Sequence, residues 1–289
     1  MKRTKIAATG AGVAAAALAL GTAPAWASGP SYDYEYHFNR SVSGGTGIGL
    51  TSDGRLISFD LKLLAARTVG KVSGLQGDSS LVGIDYRVQD GKLYGVGNAG
   101  GVYTLSTKAA ATKVSQLTVA LAGSNFGVDF NPAADRLRVV SDTGQNLRHD
   151  VNPGGATIVD GALNTPPAAG TTAGIVGAAY TNNDLDPTTG TTLFDLDAAA
   201  DQISLQSPAN SGQLAATGKL GVDAAAAAGF DIYSDLKAGK TESVKGYATL
   251  SVGGKYGLYS ISLLTGKAEL IRNFPSVNKV VDLAVRLDR

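Results

Sequence analysis

Arg55-Leu56-Ile57-Ser58-Phe59-Asp60 is the stretch on which the fold turns, because the chain repeats it. A small or polar residue leads, an apolar one follows, and alternation continues. The pattern returns as Gly101-Val102-Tyr103-Thr104-Leu105-Ser106 and as Asn146-Leu147-Arg148-His149-Asp150-Val151. Two more copies are Thr192-Leu193-Phe194-Asp195-Leu196-Asp197 and Gly257-Leu258-Tyr259-Ser260-Ile261-Ser262. Counted from the first apolar residue (Leu56, Val102, Leu147, Leu193, Leu258), the steps are 46, 45, 46 and 65 residues. The long step is assigned to an insertion spanning Ser207 to Ala228. Alternation with a period of two marks strands, and recurrence at this spacing marks a repeat architecture. Asp53-Gly54, Asn98-Ala99-Gly100, Asp142-Thr143-Gly144 and Gly253-Gly254 sit where hairpins must reverse.

A second motif interleaves with the first. It reads Gly83-Ile84-Asp85-Tyr86, Gly127-Val128-Asp129-Phe130, Gly177-Ala178-Ala179-Tyr180 and Gly229-Phe230-Asp231-Ile232. The fifth copy, Val280-Val281-Asp282-Leu283, lies at the C-terminus, although its partner motif, Arg55 to Asp60, lies near the N-terminus. That permutation predicts a closed ring. The last strand completes the first unit and removes two edges that an all-β protein must otherwise protect. The expected fold is a single all-β domain over residues 47–289, a propeller of five four-stranded blades.

The ends and the composition narrow the setting. Lys2, Arg3 and Lys5, a short apolar run from Ile6 to Gly21, and Ala25-Trp26-Ala27 follow the layout of a secretory signal peptide over residues 1–27. The run is too short for a transmembrane anchor. Residues 28–46 form a polar lead-in arm, and the expected location is extracellular. Removing Lys2, Arg3 and Lys5 leaves 22 basic residues against 24 acidic ones, a net charge of about −2. This argues against a nucleic-acid partner. There is no cysteine, so no disulfide closes the ring. A monomer is expected.

Phe126 to Gly154 (FGVDFNPAADRLRVVSDTGQNLRHDVNPG), Gly177 to Asn183 and Thr191 to Asp197 are the most distinctive stretches. With them the chain resembles the bacterial domain-of-unknown-function family numbered 4394, over roughly Gly47 to Leu287. The resemblance implies an exported, propeller-like protein with no assigned activity, and it carries no catalytic residues across.

Asp85, Asp129, Asp231 and Asp282 share one repeat position, with Ala179 the exception. On the first strand of each blade they converge on the central channel, where like charges repel unless protonated, hydrated or bridged by a cation. Ca²⁺ suits several oxygen ligands in flexible geometry. The plainer reading is that each Asp wires blade to blade. The third repeat departs from its siblings. Arg148, His149 and Asp150 stand where the others carry Ile57, Ser58 and Phe59, or Tyr103, Thr104 and Leu105. The strand before it carries Arg136 and Arg138. Arg136, Arg138, Arg148, His149 and Asp150 suit an anionic ligand through bidentate pairing. Alternatively, a one-residue bulge returns Val151 to the core and the charges pair with each other.

Asn182 to Pro187 resembles the start of a calcium loop, but Leu193 stands where the closing Glu belongs, so a surface loop is expected. Nucleophilic catalysis finds thin support: no Cys, no Gly-x-Ser-x-Gly elbow, and His149 as the one histidine outside the arm. A serine site using His149 stays open, since such sites are set by geometry. The expected function is a non-enzymatic binding or scaffold propeller for an unknown extracellular ligand. The alternative is a channel-centred hydrolase, glycan-directed, using two of the repeated Asp residues.

Overall fold

The computed structural model describes residues 45–62 and 65–288. The expected signal peptide and nearly all of the lead-in arm lie outside the described residues. The first strands are β1 (Thr46–Thr51), β2 (Arg55–Asp60) and β3 (Arg67–Lys71). The second blade is β4 (Leu81–Tyr86), β5 (Leu93–Gly97), β6 (Gly101–Leu105) and β7 (Ala111–Gln116). The third is β8 (Phe126–Asn131), β9 (Arg136–Ser141), β10 (Asn146–His149) and β11 (Thr157–Val159). The fourth is β12 (Ile175–Tyr180), β13 (Leu193–Asp197), β14 (Gln202–Gln206) and β15 (Leu214–Lys219). The fifth is β16 (Gly229–Lys237), β17 (Lys240–Val252), β18 (Lys255–Ile261) and β19 (Ala268–Asn273).

The last strand, β20 (Val280–Val285), returns to the first sheet and pairs antiparallel with β1. Blade 1 is therefore built from both ends of the ring, in the order β20-β1-β2-β3. Every other blade is a simple meander. The protein is a five-bladed β-propeller, as the permuted motifs predicted. No helix among the described residues is long and apolar enough to cross a membrane.

The core is divided by seams. Each of the five hydrophobic clusters joins one blade to the next. Leu50, Leu56, Ile84 and Tyr103 join blades 1 and 2; Val96, Val102, Val128 and Val139 join blades 2 and 3. Val140, Ile175 and Leu193 join blades 3 and 4; Leu196, Ile203, Phe230 and Ala248 join blades 4 and 5. Ile57, Phe59, Tyr233 and Leu283 close the circle. Burial at about 25 cal/mol per Å² drives each seam. The inner strands approach closely because four of the five, β4, β8, β12 and β16, carry a glycine. A Cβ on Gly127 would lie 2.5 Å from the Ala178 backbone nitrogen, and one on Gly229 would lie 2.4 Å from the Cα of Asp282.

Three details of the repeat differ from the sequence reading. First, Leu193 to Asp197 is the second strand of blade 4, and the strand equivalent to β2, β6, β10 and β18 is β14. Residues 181–192 form a long loop between β12 and β13, which delays the second strand to where the spacing expects the third. With Ile203 in place of Leu193, the last two steps become 56 and 55 residues. The supposed insertion holds β15, the blade's fourth strand. Second, Asp282 is not the counterpart of the other three Asp residues. It pairs with Leu50 and abuts Gly229, and so occupies the glycine position of its strand. Ala284, across from Ile48, takes the aspartate position. Third, blade 3 is offset by one residue. Its ladder aligns Asp129, Arg138 and Arg148, matching Asp85, Tyr94 and Thr104 in blade 2. His149 thus takes the core row of Leu105. No bulge interrupts the pairing of β9 with β10, and Val151 is buried all the same.

Candidate functional site

At the axis, Asp85, Asp129 and Asp231 lie on β4, β8 and β16, with 6, 3 and 2% of their surface exposed. Each offers a carboxylate oxygen within 4.8 Å of the other two. One bonding rule runs around the ring: a carboxylate accepts the backbone N–H just past its counterpart on the next inner strand. Asp85 Oδ2 accepts from Phe130 N at 2.7 Å, and Asp129 Oδ1 accepts from Tyr180 N at 3.0 Å. Asp231 Oδ2 accepts from Val285 N, the residue after Ala284. Where alanine replaces aspartate, the orphaned N–H turns to its own blade. Ile232 N donates to Asp231 Oδ1, and Tyr86 N bonds Asp85. Asp282, one level away, repeats the device by accepting from Ile84 N at 2.7 Å.

Burial lifts all four carboxyls above the ordinary range. Asp85 and Asp129 are also raised by neighbouring carboxylates, and Asp231 is pushed up to about 7. Desolvation disfavours the charged form in each case. The repeated Asp residues are therefore blade-to-blade latches. Among the four, Asp85, Asp129 and Asp231 stand close enough to share an ion.

The charges of the third repeat pair mostly with each other. Arg138, 3% exposed, donates to Asp160 Oδ2 and Asn146 Oδ1, both at 2.7 Å. It also donates to Asn210 Oδ1 at 2.8 Å and to the Tyr180 hydroxyl at 3.2 Å. Arg148 donates to Asp160 at 2.9 Å, and Arg136 lies 3.2 Å from Asp150. These residues therefore fall in two places. Arg138 and Arg148 join the seam between blades 3 and 4, whereas Arg136 and Asp150 lie at the turn end of blade 3. His149 is fully buried and faces blade 2, with Nε2 2.7 Å from Ser115 Oγ and Nδ1 3.0 Å from Thr157 Oγ1. Burial lowers its pKa, which keeps the imidazole neutral.

Several polar groups escaped the sequence reading because their partners come from other blades. Arg87 follows β4 and donates bidentately to Asp135 of blade 3, with Nε to Oδ1 at 2.7 Å, and also to Asn152. Asp195 is fully buried, neither of its oxygens has a partner among the described residues, and burial raises its pKa well above normal.

A pocket of about 280 Å³ opens where the inner strands leave the ring. Its walls include Val88 and Gln89 after β4, Asp184 and Leu185 after β12, Leu236 on β16, and Asp288 after β20. The carboxylates here are engaged. Asp184 accepts from Thr241 N and Thr241 Oγ1, and Asp288 accepts from Leu236 N. Gln89 donates through Nε2 to Pro132 O at 2.7 Å, while its buried Oε1 has no partner among the described residues. The Asn182 to Pro187 loop forms one wall. Its Asp186 is paired with Lys240 at 2.8 Å, and that pairing holds the carboxyl well below the usual range.

The fold and this geometry define a five-bladed propeller with a latched axis and a pocket at the channel mouth. The chain belongs to the family described as domain of unknown function DUF4394, whose profile matches residues 55–284. No curated protein matches it in sequence. Solved structures give loose likenesses. One is an auxiliary nutrient binding protein from Bacteroides ovatus, at 13% identity over 59% of this chain, with a TM-score of 0.38. This chain spans 46% of that protein's length. Another is a putative 6-phosphogluconolactonase from Bacteroides fragilis, at 9% identity over 84% of this chain and 98% of that one, with a TM-score of 0.41. A third is a protein of unknown function from Bacteroides thetaiotaomicron, at 12% identity over 85% and 65%, with a TM-score of 0.44. Likeness this distant carries no argument about a ligand.

Proposed function

We propose that the protein is an exported binding propeller whose channel mouth seats a small-molecule ligand without transforming it. The observation that carries this reading is Gln89 Oε1, a buried acceptor without a partner among the described residues, at a pocket flanked by Val88, Leu185 and Leu236. An unpaired buried acceptor costs about 1–3 kcal/mol, and a ligand N–H or O–H recovers it. The volume suits an amino acid, a dipeptide end or a single sugar ring. The axial carboxyls, nearly closed off and absent from the walls of this pocket, leave a glycan chain little room to reach two of them. Thermal melts against a panel of amino acids, dipeptides and monosaccharides test the reading. At about a hundred times its Kd a ligand adds about 2.7 kcal/mol, a rise of roughly 5–10 °C. Gln89→Leu should abolish that rise. A panel without shifts, or a shift that survives Gln89→Leu, would refute the mouth as the binding site.

A second reading rests on the 4.8 Å grouping of Asp85, Asp129 and Asp231. Those three carboxylates would hold one Ca²⁺, with Asp282 beside them. A calcium-dependent melt that a chelator reverses, and that Asp85→Asn and Asp129→Asn each abolish, would support it. An unchanged melt leaves the residues as latches alone.

A further inference from the structure

The pairing of Ser115 with His149 occurs at one seam only. Ser115 sits on the outermost strand of blade 2, across from Val102. The corresponding positions in blades 1, 4 and 5 are Gly70, Gly218 and Arg272, across from Leu56, Ile203 and Leu258. None carries a hydroxyl. In the core row that His149 occupies, blades 1, 2 and 5 carry Phe59, Leu105 and Ile261. A residue that merely wires the repeat recurs, as the axial aspartates do; this pair does not.

Its geometry is that of an activated hydroxyl. Ser115 Oγ lies 2.7 Å from Nε2, and the far side of the ring is held by Thr157 Oγ1 at 3.0 Å. With the ring proton on Nδ1 and donated to Thr157 Oγ1, the Nε2 lone pair faces Ser115, which is the tautomer a nucleophile–base pair needs. The imidazole is sealed from solvent, whereas Ser115 is half-buried and lines an open cleft of about 520 Å³ between blades 2 and 3. Lys113, Gln76, Gly154 and Gly155 share that cleft. Lys113 brings a positive charge to the cleft, its Nζ donating to Gln76 O at 3.1 Å.

We propose that Ser115 and His149 form a nucleophile–base pair acting on activated esters at this cleft, separate from the channel mouth. Ser115 Oγ bonds to the acyl carbon as its proton passes to His149 Nε2. The carbonyl π pair moves onto oxygen, and its return breaks the bond to the leaving alcohol, which takes the proton from Nε2. Water attacks the acyl-serine by the same proton route and frees the acid. The sequence holds no serine elbow because the two groups lie on different blades and meet only when the seam forms.

The test is covalent labelling of the full chain with an alkyl fluorophosphonate, which forms an Oγ–P bond and releases fluoride. Peptide mass spectrometry should find one adduct on Ser115, absent in Ser115→Ala and reduced about 100-fold in His149→Gln, the range general-base assistance supplies. Should His149→Gln not fold, the wild-type rate carries the test. It should hold as pH drops from about 8 and fall only below the imidazole's own pKa, which burial sets under its ordinary value. No adduct on Ser115 from about pH 8 to about pH 5 overturns the proposal. So does labelling that falls about tenfold with each pH unit from about pH 8, the behaviour of an unassisted hydroxyl, or labelling undiminished in folded His149→Gln.

Discussion

Asp231→Asn should reduce the pH dependence of stability. Burial lifts the Asp231 carboxyl from 3.8 to about 7, so the folded state holds a proton that the unfolded chain releases. The stability from that proton is fully present below about pH 4 and is lost as pH rises through about 7. The span of about three units corresponds to about 4 kcal/mol at about 1.36 kcal/mol per unit, of which about 2.7 kcal/mol falls between about pH 5 and about pH 8. Urea unfolding at those two pH values measures it. His149 opposes the trend below its ordinary pKa, because its own is lowered by burial. It does so equally in both proteins, so the difference between wild type and variant reports the loss of the Asp231 carboxyl together with its push on Asp85, Asp129 and Asp282. Asparagine also gives up one of the two backbone bonds to Val285 and Ile232, an offset of about 1 kcal/mol that does not vary with pH. A wild-type loss that matches the variant's to within about 1 kcal/mol would refute the protonated latch.

Gly127→Ala should cost about 3 kcal/mol or more in urea unfolding, since the new methyl meets the Ala178 and Gly177 backbone at 2.5–2.6 Å and neither strand can yield alone. Arg138→Met should cost about 3–5 kcal/mol by the same assay, because Asp160 keeps only Arg148 and the buried Asn146 amide oxygen loses its donor. Truncation after Asn278 should abolish the cooperative melt, because it exposes β1 and strips two latches from the axis.

Ring closure was legible because the fifth inner-strand motif and its partner stand at opposite ends of the sequence. The misplacement of Asp282 was not. A slip of two residues keeps every side chain on its own face, so alternation cannot detect it; a slip of one would have reversed the pattern. Blade 4 was misread because spacing assumes similar hairpins, and the loop at 181–192 breaks that assumption. The candidate sites were legible only where a repeat marked them. Asp85, Asp129 and Asp231 stood out by recurrence, and Arg148 and His149 by departure from it. Gln89, Asp195, Arg87 and Ser115 carry no such mark, since burial and missing partners arise only when distant segments pack.

The strand that completes blade 1 is also the last of the propeller's strands to be synthesised. Until Val280–Val285 emerges, blade 1 has three strands, β1 lacks its inner neighbour, and Asp231 and Ile84 lack their latch partners on that strand. Four blades can form in order of synthesis, but the circle is sealed from the C-terminal end. A ring that waits on its last strand stays open until that strand is made, so its first blade keeps an unpaired edge longer than any other.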